Sequence, residues 1–452
     1  MGNLATFEEY VDQQFPEMVR QLQALCRRPS ISAQGVGLRE TADAVHGLLR
    51  DIGARTRLIE VEGGSPWVYA EVGAGSRRLL FYNHYDVQPP EPLDLWTSPP
   101  FAAEIRDGKI FSRGVADNKG DLVARIQAVA TYRRIVGELP LRIVFLVEGE
   151  EEIGSPHLPR FVDENRQLVA GADGCLWEGG WREESGRLQV FCGLKGICYV
   201  ELRVRSARRD VHSMWATVVP DAAWRLVWAL GTLKDADERI TVDDLMEHVA
   251  PPAPADLAYL HSIPLNEEQL KADFGIPRFL RDLHGVDLLK KHLYEPTCTV
   301  CGLLSGYIGE GTKTVLPSTA MAKVDFRLVP DLTPDLVLEL LRRHLDRHGF
   351  ADVEIVPIAG MNPAKSPLDA PIVEATIDTA REVYGTEPIV YPLMAGSGPM
   401  YTLCQGQGVQ VASAGVSNTG SNEHAPDENI TLEDYRQGIK YIGHLIERFA
   451  AM

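Results

Sequence analysis

Positive charge, long apolar runs and cysteine are what this chain has least of. Its 45 lysines and arginines stand against 63 aspartates and glutamates, giving a formal net charge of −18. Phosphate backbones are held by basic faces, so this balance speaks against nucleic acid as a partner. No apolar run approaches the ~20 residues that a membrane-spanning helix needs. The longest are of the order of Ile143 to Val147, so a membrane is not an expected partner either. No signal peptide is visible at the N-terminus. The seven cysteines, Cys26, Cys175, Cys192, Cys198, Cys298, Cys301 and Cys404, are odd in number and scattered. That argues against a disulfide framework and for a reducing compartment, so a cytoplasmic location is expected. Cys298-Thr-Val-Cys301 has half-zinc spacing, but no second such pair completes a tetrahedral shell. Its apolar neighbours suggest a buried strand. Internal repeats and low-complexity tracts are lacking as well.

What is present is an ordinary globular composition, 45% hydrophobic and 24% charged over 452 residues. That is enough chain for two or three domains with a sizeable core. The first part alternates helix and strand. Residues 38–52 have helical spacing, Trp67–Val72 and Leu79–Tyr82 read as strands, and Ile105-Arg-Asp-Gly-Lys-Ile110 is a hairpin signal. Lys119–Val136 reads as a helix opened by Asp117-Asn118. Leu141–Val147 is apolar apart from Arg142, as in a strand buried on both faces. The character changes near Cys192. Strands at 190–194 and 197–204, a helix at 221–232, an insertion rich in Pro, Asp and Glu over roughly 233–275, strands at 315–317 and 320–328, and a helix Pro334–His348 suggest a smaller α+β domain. Helix–strand alternation resumes near 363. The expected division is 1–192 and 363–452 for an α/β catalytic domain and 193–362 for the insert.

Polar residues stand at the ends of these strands, where open α/β sheets place their ligands. Asn83-His84-Tyr85-Asp86 ends one strand. Glu148-Gly-Glu150-Glu151-Glu152 ends another, and Glu178 follows the strand Gly174–Trp177. Asp117 stands before a helix, and His424 lies in Gly420-Ser-Asn-Glu-His424-Ala-Pro. Any one of these has a plain structural reading: a polar strand end, a helix N-cap for Asp117, or a solvated acidic turn. Adjacent carboxylates repel, however, unless cations neutralise them. Two histidines with several carboxylates form a donor set for two divalent cations, with one carboxylate left as a base. His344 and His348 share helical i, i+4 spacing, but His-Leu-Asp-Arg-His lacks the Glu of HExxH chemistry. They read as surface helix residues.

Taken together these segments resemble a known family. Asn83-His84-Tyr85-Asp86-Val87, Gly114-Val-Ala-Asp117-Asn118-Lys119-Gly120, Glu148-Gly-Glu-Glu151-Glu152-Ile-Gly154-Ser155, Glu178, Asp210-Val-His212-Ser213, Thr314-Val-Leu-Pro317, Asp325-Phe-Arg327 and His424-Ala-Pro426 run in the order found in di-zinc peptidases and amidohydrolases. That family includes carnosinase-type dipeptidases, aminoacylase, glutamate carboxypeptidase and succinyl-diaminopimelate desuccinylase. The resemblance implies a phosphorylase/hydrolase-like catalytic domain with a central, mostly parallel sheet. It also implies an inserted α+β lid, which forms a homodimer in many members. Asp117 would bridge two cations, His84 and Glu178 would serve one, and Glu152 and His424 the other. Zinc is the expected metal, with manganese or cobalt accepted by the same donors. Asp86 would orient His84, and Glu151 would be the general base and then acid. His212 would stabilise the oxyanion with help from Thr314. Arg327 would hold a substrate carboxylate, and Ser397 would line the substrate site.

The expected activity is metal-dependent hydrolysis of the amide bond of dipeptides or short peptides by a metal-activated water. The alternative with the same site is an N-acyl amino acid amidohydrolase, desuccinylase or carboxypeptidase. Two features favour that alternative. The position of Glu178 is usually Asp in the dipeptidase branch. Dipeptidases also often carry Arg-x-Gly-Gly-Ser-x-Pro before the final His, whereas this chain reads Leu393-Met-Ala-Gly396-Ser397-Gly-Pro399. A non-catalytic scaffold would have lost a ligand or the base, and none is lost here.

Overall fold

The computed structural model describes residues 2–452, which divide into two compact units. The first comprises residues up to Gly193 with Lys365–Pro392 and Thr402–Met452. The second comprises Leu194–Ala364 with Leu393–Tyr401. The short segment 393–401 thus belongs with the second unit, not with the closing stretch from 363. The reason is a strand, Met394–Ser397, that pairs in parallel with Leu194–Lys195.

The first unit is built on an eight-stranded sheet. Its order is Arg55–Ile59, Trp67–Val72, Arg142–Glu148, Arg78–His84, Gly174–Trp177, Val411–Ser413, Gln189–Phe191 and Ile389–Tyr391. Pairing is parallel through the middle, from Arg142–Glu148 to Val411–Ser413. It is antiparallel at the Arg55–Ile59 side, and once more between Val411–Ser413 and Gln189–Phe191. The central strands are buried almost end to end, as their apolar text requires. Helix Gly120–Ile135 packs against Gly2–Cys26 and Leu432–Ala451. It is buried nearly all round, so it carries no polar stripe. This helix begins at Gly120, after an irregular turn at Val115–Lys119, and Asp117 does not cap it.

In the second unit a sheet runs Thr299–Ser305, Thr319–Leu328, Gly193–Arg205 and Glu354–Met361. The two strands expected over 190–204 are instead Gln189–Phe191 and the continuous Gly193–Arg205. Alternate residues Cys198, Val200, Leu202 and Val204 point into a core with Ala322, Val324 and Phe326, closed by Leu226 and Leu340 from two helices. The acidic insertion folds into short helices at Pro254–Leu260 and Glu267–Phe274. Two expectations need correction here. Thr299–Ser305 is a strand, but it is the exposed edge of its sheet, and Cys301 is exposed while Cys298 is buried. His344 is not a surface residue. Its helix turns that face inward, where Thr232 and Asp243 cover it.

Candidate metal centre and active site

All seven strand-end and loop residues of the proposed centre fall in the first unit and converge. His84 is the last residue of its strand and is fully buried. Its Nε2 lies 2.8 Å from Asp117 Oδ1 and 3.4 Å from Glu178 Oε2. The other oxygen of Asp117, Oδ2, lies 3.1 Å from His424 Nε2, which in turn lies 3.2 Å from Glu152 Oε2. Asp117 therefore turns one oxygen to each histidine. His84, Asp117 and Glu152 form one group that could hold a metal, and His84, Glu151 and Glu178 another.

On its far side the His84 ring is fixed by Asp86. Nδ1 lies 3.1 Å from the Asp86 carbonyl and 3.3 Å from its Oδ1. A proton held there leaves the Nε2 lone pair for a cation. The Asp86 carboxylate also accepts the backbone N–H of Glu151 at 3.2 Å and of Glu152 at 3.1 Å. One buried carboxylate thus sets both the imidazole and the turn that carries the two glutamates. The third member of the acidic run, Glu150, is drawn away: it accepts from Ser65 N at 2.9 Å and pairs with His157 Nδ1 at 2.8 Å. Adjacency in sequence does not make the three glutamates equivalent.

The electrostatics are those of a buried carboxylate cluster. Burial first, then the neighbouring carboxylates, push Glu151 up to about 7 and raise Glu152 and Glu178. Asp117 moves the other way, because both histidines outweigh its burial. His424 is pushed up to about 10 by its bonds to Asp117 and Glu152. Glu178 Oε2 is buried without a hydrogen-bond partner. A buried, unpartnered carboxylate oxygen is costly unless a positive charge faces it. The donor set and that oxygen fit a pair of divalent cations held by His84, Asp117, Glu152, Glu178 and His424.

Several positioning residues were not anticipated from sequence. Gln88 Nε2 donates to Glu152 Oε2 at 2.9 Å. Arg125, buried in its helix, donates to the carbonyls of Tyr82 (2.7 Å), Leu176 (3.1 Å) and Trp177 (2.6 Å), tying two strand ends together. Asp121 accepts from Gly179 N at 3.0 Å and Val416 N at 2.7 Å. Glu428 accepts the backbone N–H groups of Gly114 (2.8 Å), Ala116 (2.9 Å) and Asp117 (3.1 Å), and Arg113 Nη1 at 2.7 Å. It thereby shapes the loop that presents Asp117. The tightness shows at Gly114, which has φ +82°; a Cβ there would meet Val87 Cγ1 at 2.3 Å. His424 itself sits in the left-handed region at φ +61°, the kind of local strain that clusters at functional sites. Its loop is pinned by Asp427, which accepts from Thr97 N at 3.0 Å.

The other four residues lie in the second unit. His212 is exposed on a two-stranded ribbon opposite Val315, beside exposed Thr314. Its Nδ1 accepts from Met214 N at 3.1 Å, so the neutral ring keeps its proton on Nε2, as a donor. Arg327 lies on the strand Thr319–Leu328 with a loose contact to Asp325, 3.5 Å. Ser397 Oγ donates to the Gly196 carbonyl at 2.8 Å, which commits its proton and leaves the oxygen as an acceptor. Leu393 is completely buried and acts as a core residue.

The match to known proteins agrees with this geometry. Residues 80–448 match Peptidase family M20/M25/M40. The chain belongs to that family, and its relatives are metallopeptidases. It is 28% identical over 468 residues to the Beta-Ala-His dipeptidase of Rattus norvegicus, covering 97% of this chain and 94% of that one. It is 28% identical over 358 residues, 75% of each, to the Cys-Gly metallodipeptidase of Schizosaccharomyces pombe. Among solved structures, an M20 family metallo-carboxypeptidase from Sulfolobus solfataricus superposes with a TM-score of 0.89. That pair shares 35% identity, over 96% of this chain and all of the other. Human carnosine dipeptidase 1 superposes at 0.79 with 26% identity, over 99% of each chain.

Proposed function

We propose that this protein hydrolyses the amide bond of dipeptides or short peptides with two divalent cations, zinc being the expected metal. The observation that carries the reading is Asp117, with one oxygen turned to His84 and the other to His424. When bound, such a pair lowers the pKa of a water toward roughly 7 and polarises the carbonyl it attacks. Glu151 takes the proton and delivers it to the leaving amine. A carboxyl already held near neutrality can do both. His84, Asp117, Glu152, Glu178 and His424 hold the cations, and Asp86 orients His84. His212 offers its Nε2–H to the oxyanion, with Thr314 beside it. Arg327 clamps a substrate carboxylate, a bidentate role that Lys does not reproduce. Ser397 binds substrate as an acceptor, its hydroxyl proton being given to the Gly196 carbonyl.

A second reading, carboxypeptidase or N-acyl amino acid amidohydrolase, is favoured by Glu178, by the buried Leu393 and by the Sulfolobus relative's name. A panel of dipeptides and their N-acetylated counterparts, run with Zn²⁺ and with Mn²⁺, separates the two. A requirement for a free α-amine supports the first, and indifference to acetylation refutes it.

The second unit is proposed as lid and dimerisation domain, and the cytoplasm as location; all seven cysteines are free. Support for a homodimer comes from the open edge Thr299–Ser305, with Val300, Leu303 and Leu304 exposed, and from exposed Trp224 and Trp228 on a nearby helix. Light scattering on the wild type and on Leu303→Glu tests it: a monomeric wild type refutes the proposal. Among the described residues no helix is long and apolar enough to cross a membrane.

A further inference from the structure

Outside the candidate centre, the described residues hold one further cluster of metal-liking side chains whose donor atoms lie close enough together to share an ion. Helix Pro334–Arg347 carries His344, and His348 follows one turn on at its C-terminal cap. Their rings lie 4.2 Å apart. The turn ahead of Leu245 brings Asp243 against both: Asp243 Oδ1 lies 3.3 Å from His344 Nδ1 and 3.3 Å from His348 Nε2. All three donor atoms lie within 4.8 Å of one another.

The tautomer of His344 follows from its other nitrogen. Thr232 Oγ1 donates its single proton to the Ala229 carbonyl at 2.7 Å. Toward His344 Nε2, 3.0 Å away, it can therefore only accept. Nε2 carries the proton and Nδ1 is bare. The backbone N–H of Asp243 donates to that bare Nδ1 at 3.1 Å, which agrees. A carboxylate oxygen thus faces an unprotonated ring nitrogen, and the His344 side chain is fully buried. Protonating Nδ1 would set its hydrogen against the Asp243 N–H. His348 Nε2 is in reach to donate to Asp243 Oδ1, and a cation between Nδ1, Oδ1 and the His348 Nε2 takes the place of that proton, at the expense of the Asp243 amide hydrogen bond. The other Asp243 oxygen is already balanced by Arg347 Nη1 at 3.5 Å.

We propose that His344, His348 and Asp243 form a further divalent transition-metal site, which fastens the Asp243 turn to the end of helix Pro334–Arg347. Two imidazoles and one carboxylate suit zinc, cobalt or nickel, and exclude the hard ions that ask for oxygen alone. The fixed Nε2–H···Oγ1 bond to Thr232 is the outer contact that orients a ligating histidine. His348 is partly exposed, at 42%, so water can complete a tetrahedral shell. The site shares no residue with the centre of the first unit.

Equilibrium dialysis of the full chain against micromolar zinc, followed by metal analysis, tests it. The wild type is expected to hold one zinc per chain more than His348→Ala, an exposed substitution that leaves the core intact. Titration of chelator-stripped protein with Co²⁺ should show a visible absorption component that His348→Ala and Asp243→Asn both lack. Equal metal counts in wild type and His348→Ala would mean an ion pair only, and would overturn the proposal. If the first-unit centre were not a metal site, all counts would drop together while the difference of one remained.

Discussion

Replacing Glu428 by Gln tests whether the Asp117 loop is held by one buried carboxylate. Glu428 is 1% exposed and spends both oxygens: Oε2 on Arg113 and Gly114, Oε1 on Ala116 and Asp117. Glutamine keeps one acceptor oxygen and puts an NH₂ where the other was. Whichever way the amide is turned, two of the four donors then face another donor. Each buried N–H left unsatisfied costs about 1–3 kcal/mol. Arg113, itself 1% exposed, also loses its counter-charge, and removing one partner of a buried pair costs about 3–5 kcal/mol. The two figures describe overlapping losses, so the expected destabilisation is about 3–5 kcal/mol, read from urea unfolding of the metal-free protein. Because the same carboxylate holds the amide of Asp117, cation affinity should weaken by roughly 10–100-fold, as for other groups that orient ligands. A chromophoric chelator in competition reads that change. A loss of stability with unchanged metal affinity would refute the link between Glu428 and the centre. A stability change below about 1 kcal/mol would refute the burial argument itself.

Glu151→Gln should keep its bound metal, since five other side chains make up the donor set, while kcat falls by about 10²–10⁴, the usual worth of a general base; metal analysis beside steady-state kinetics checks both halves. Arg327→Lys should raise KM for substrates with a free carboxylate and leave amidated analogues unaffected. Glu148 is pushed up to about 8 by burial, with the Tyr82 and Ser155 hydroxyls donating to it. Its folded value lies above the ordinary 4.5, so its contribution to stability is complete below that pH and is lost as pH rises through about 8. Glu148→Gln should flatten that decline in urea midpoints of metal-free protein, and an unchanged slope would count against it. Finally, adding zinc to metal-free protein near pH 7 should release protons, because His424, pushed up to about 10, and Glu151, near 7, hold them there. A pH-stat trace without acid release would contradict the assignment of His424 as a ligand.

How much of this was legible in the sequence differs from residue to residue, for physical reasons. His84 and Glu178 were visible because an apolar strand that ends in a polar residue presents it at the carboxyl end of the sheet. Asp117 had two readings, cap or ligand, and the text before the helix serves both equally. Only the turn at Val115–Lys119, held by Glu428 from over 300 residues away, turns its side chain from the helix to the histidines. The division of the glutamate run was likewise out of reach: Ser65 and His157 draw Glu150 off, and Asp86 fixes its two neighbours. Gln88, Asp121, Arg125 and Glu428 carry no local pattern, since they act on backbone groups distant in sequence. His344 misled because i, i+4 spacing fixes which residues share a helix face but not what covers that face.

The two kinds of polar residue in the first unit answer different needs. Asp86, Asp121, Arg125 and Glu428 bond mainly to backbone amides and carbonyls, contacts that need no cation. The cation-facing side chains of His84, Asp117, Glu178 and His424 meet chiefly one another, and Glu178 Oε2, 3.4 Å from His84 Nε2, makes no hydrogen bond. The backbone of the centre is therefore set by groups whose partners do not depend on metal, while charge balance is left to the ligands. Removing cations from such a centre is therefore expected to change protonation before it changes shape. That order lets a cluster of buried carboxylates persist in a folded chain, and it presents the cations with ligands already in place.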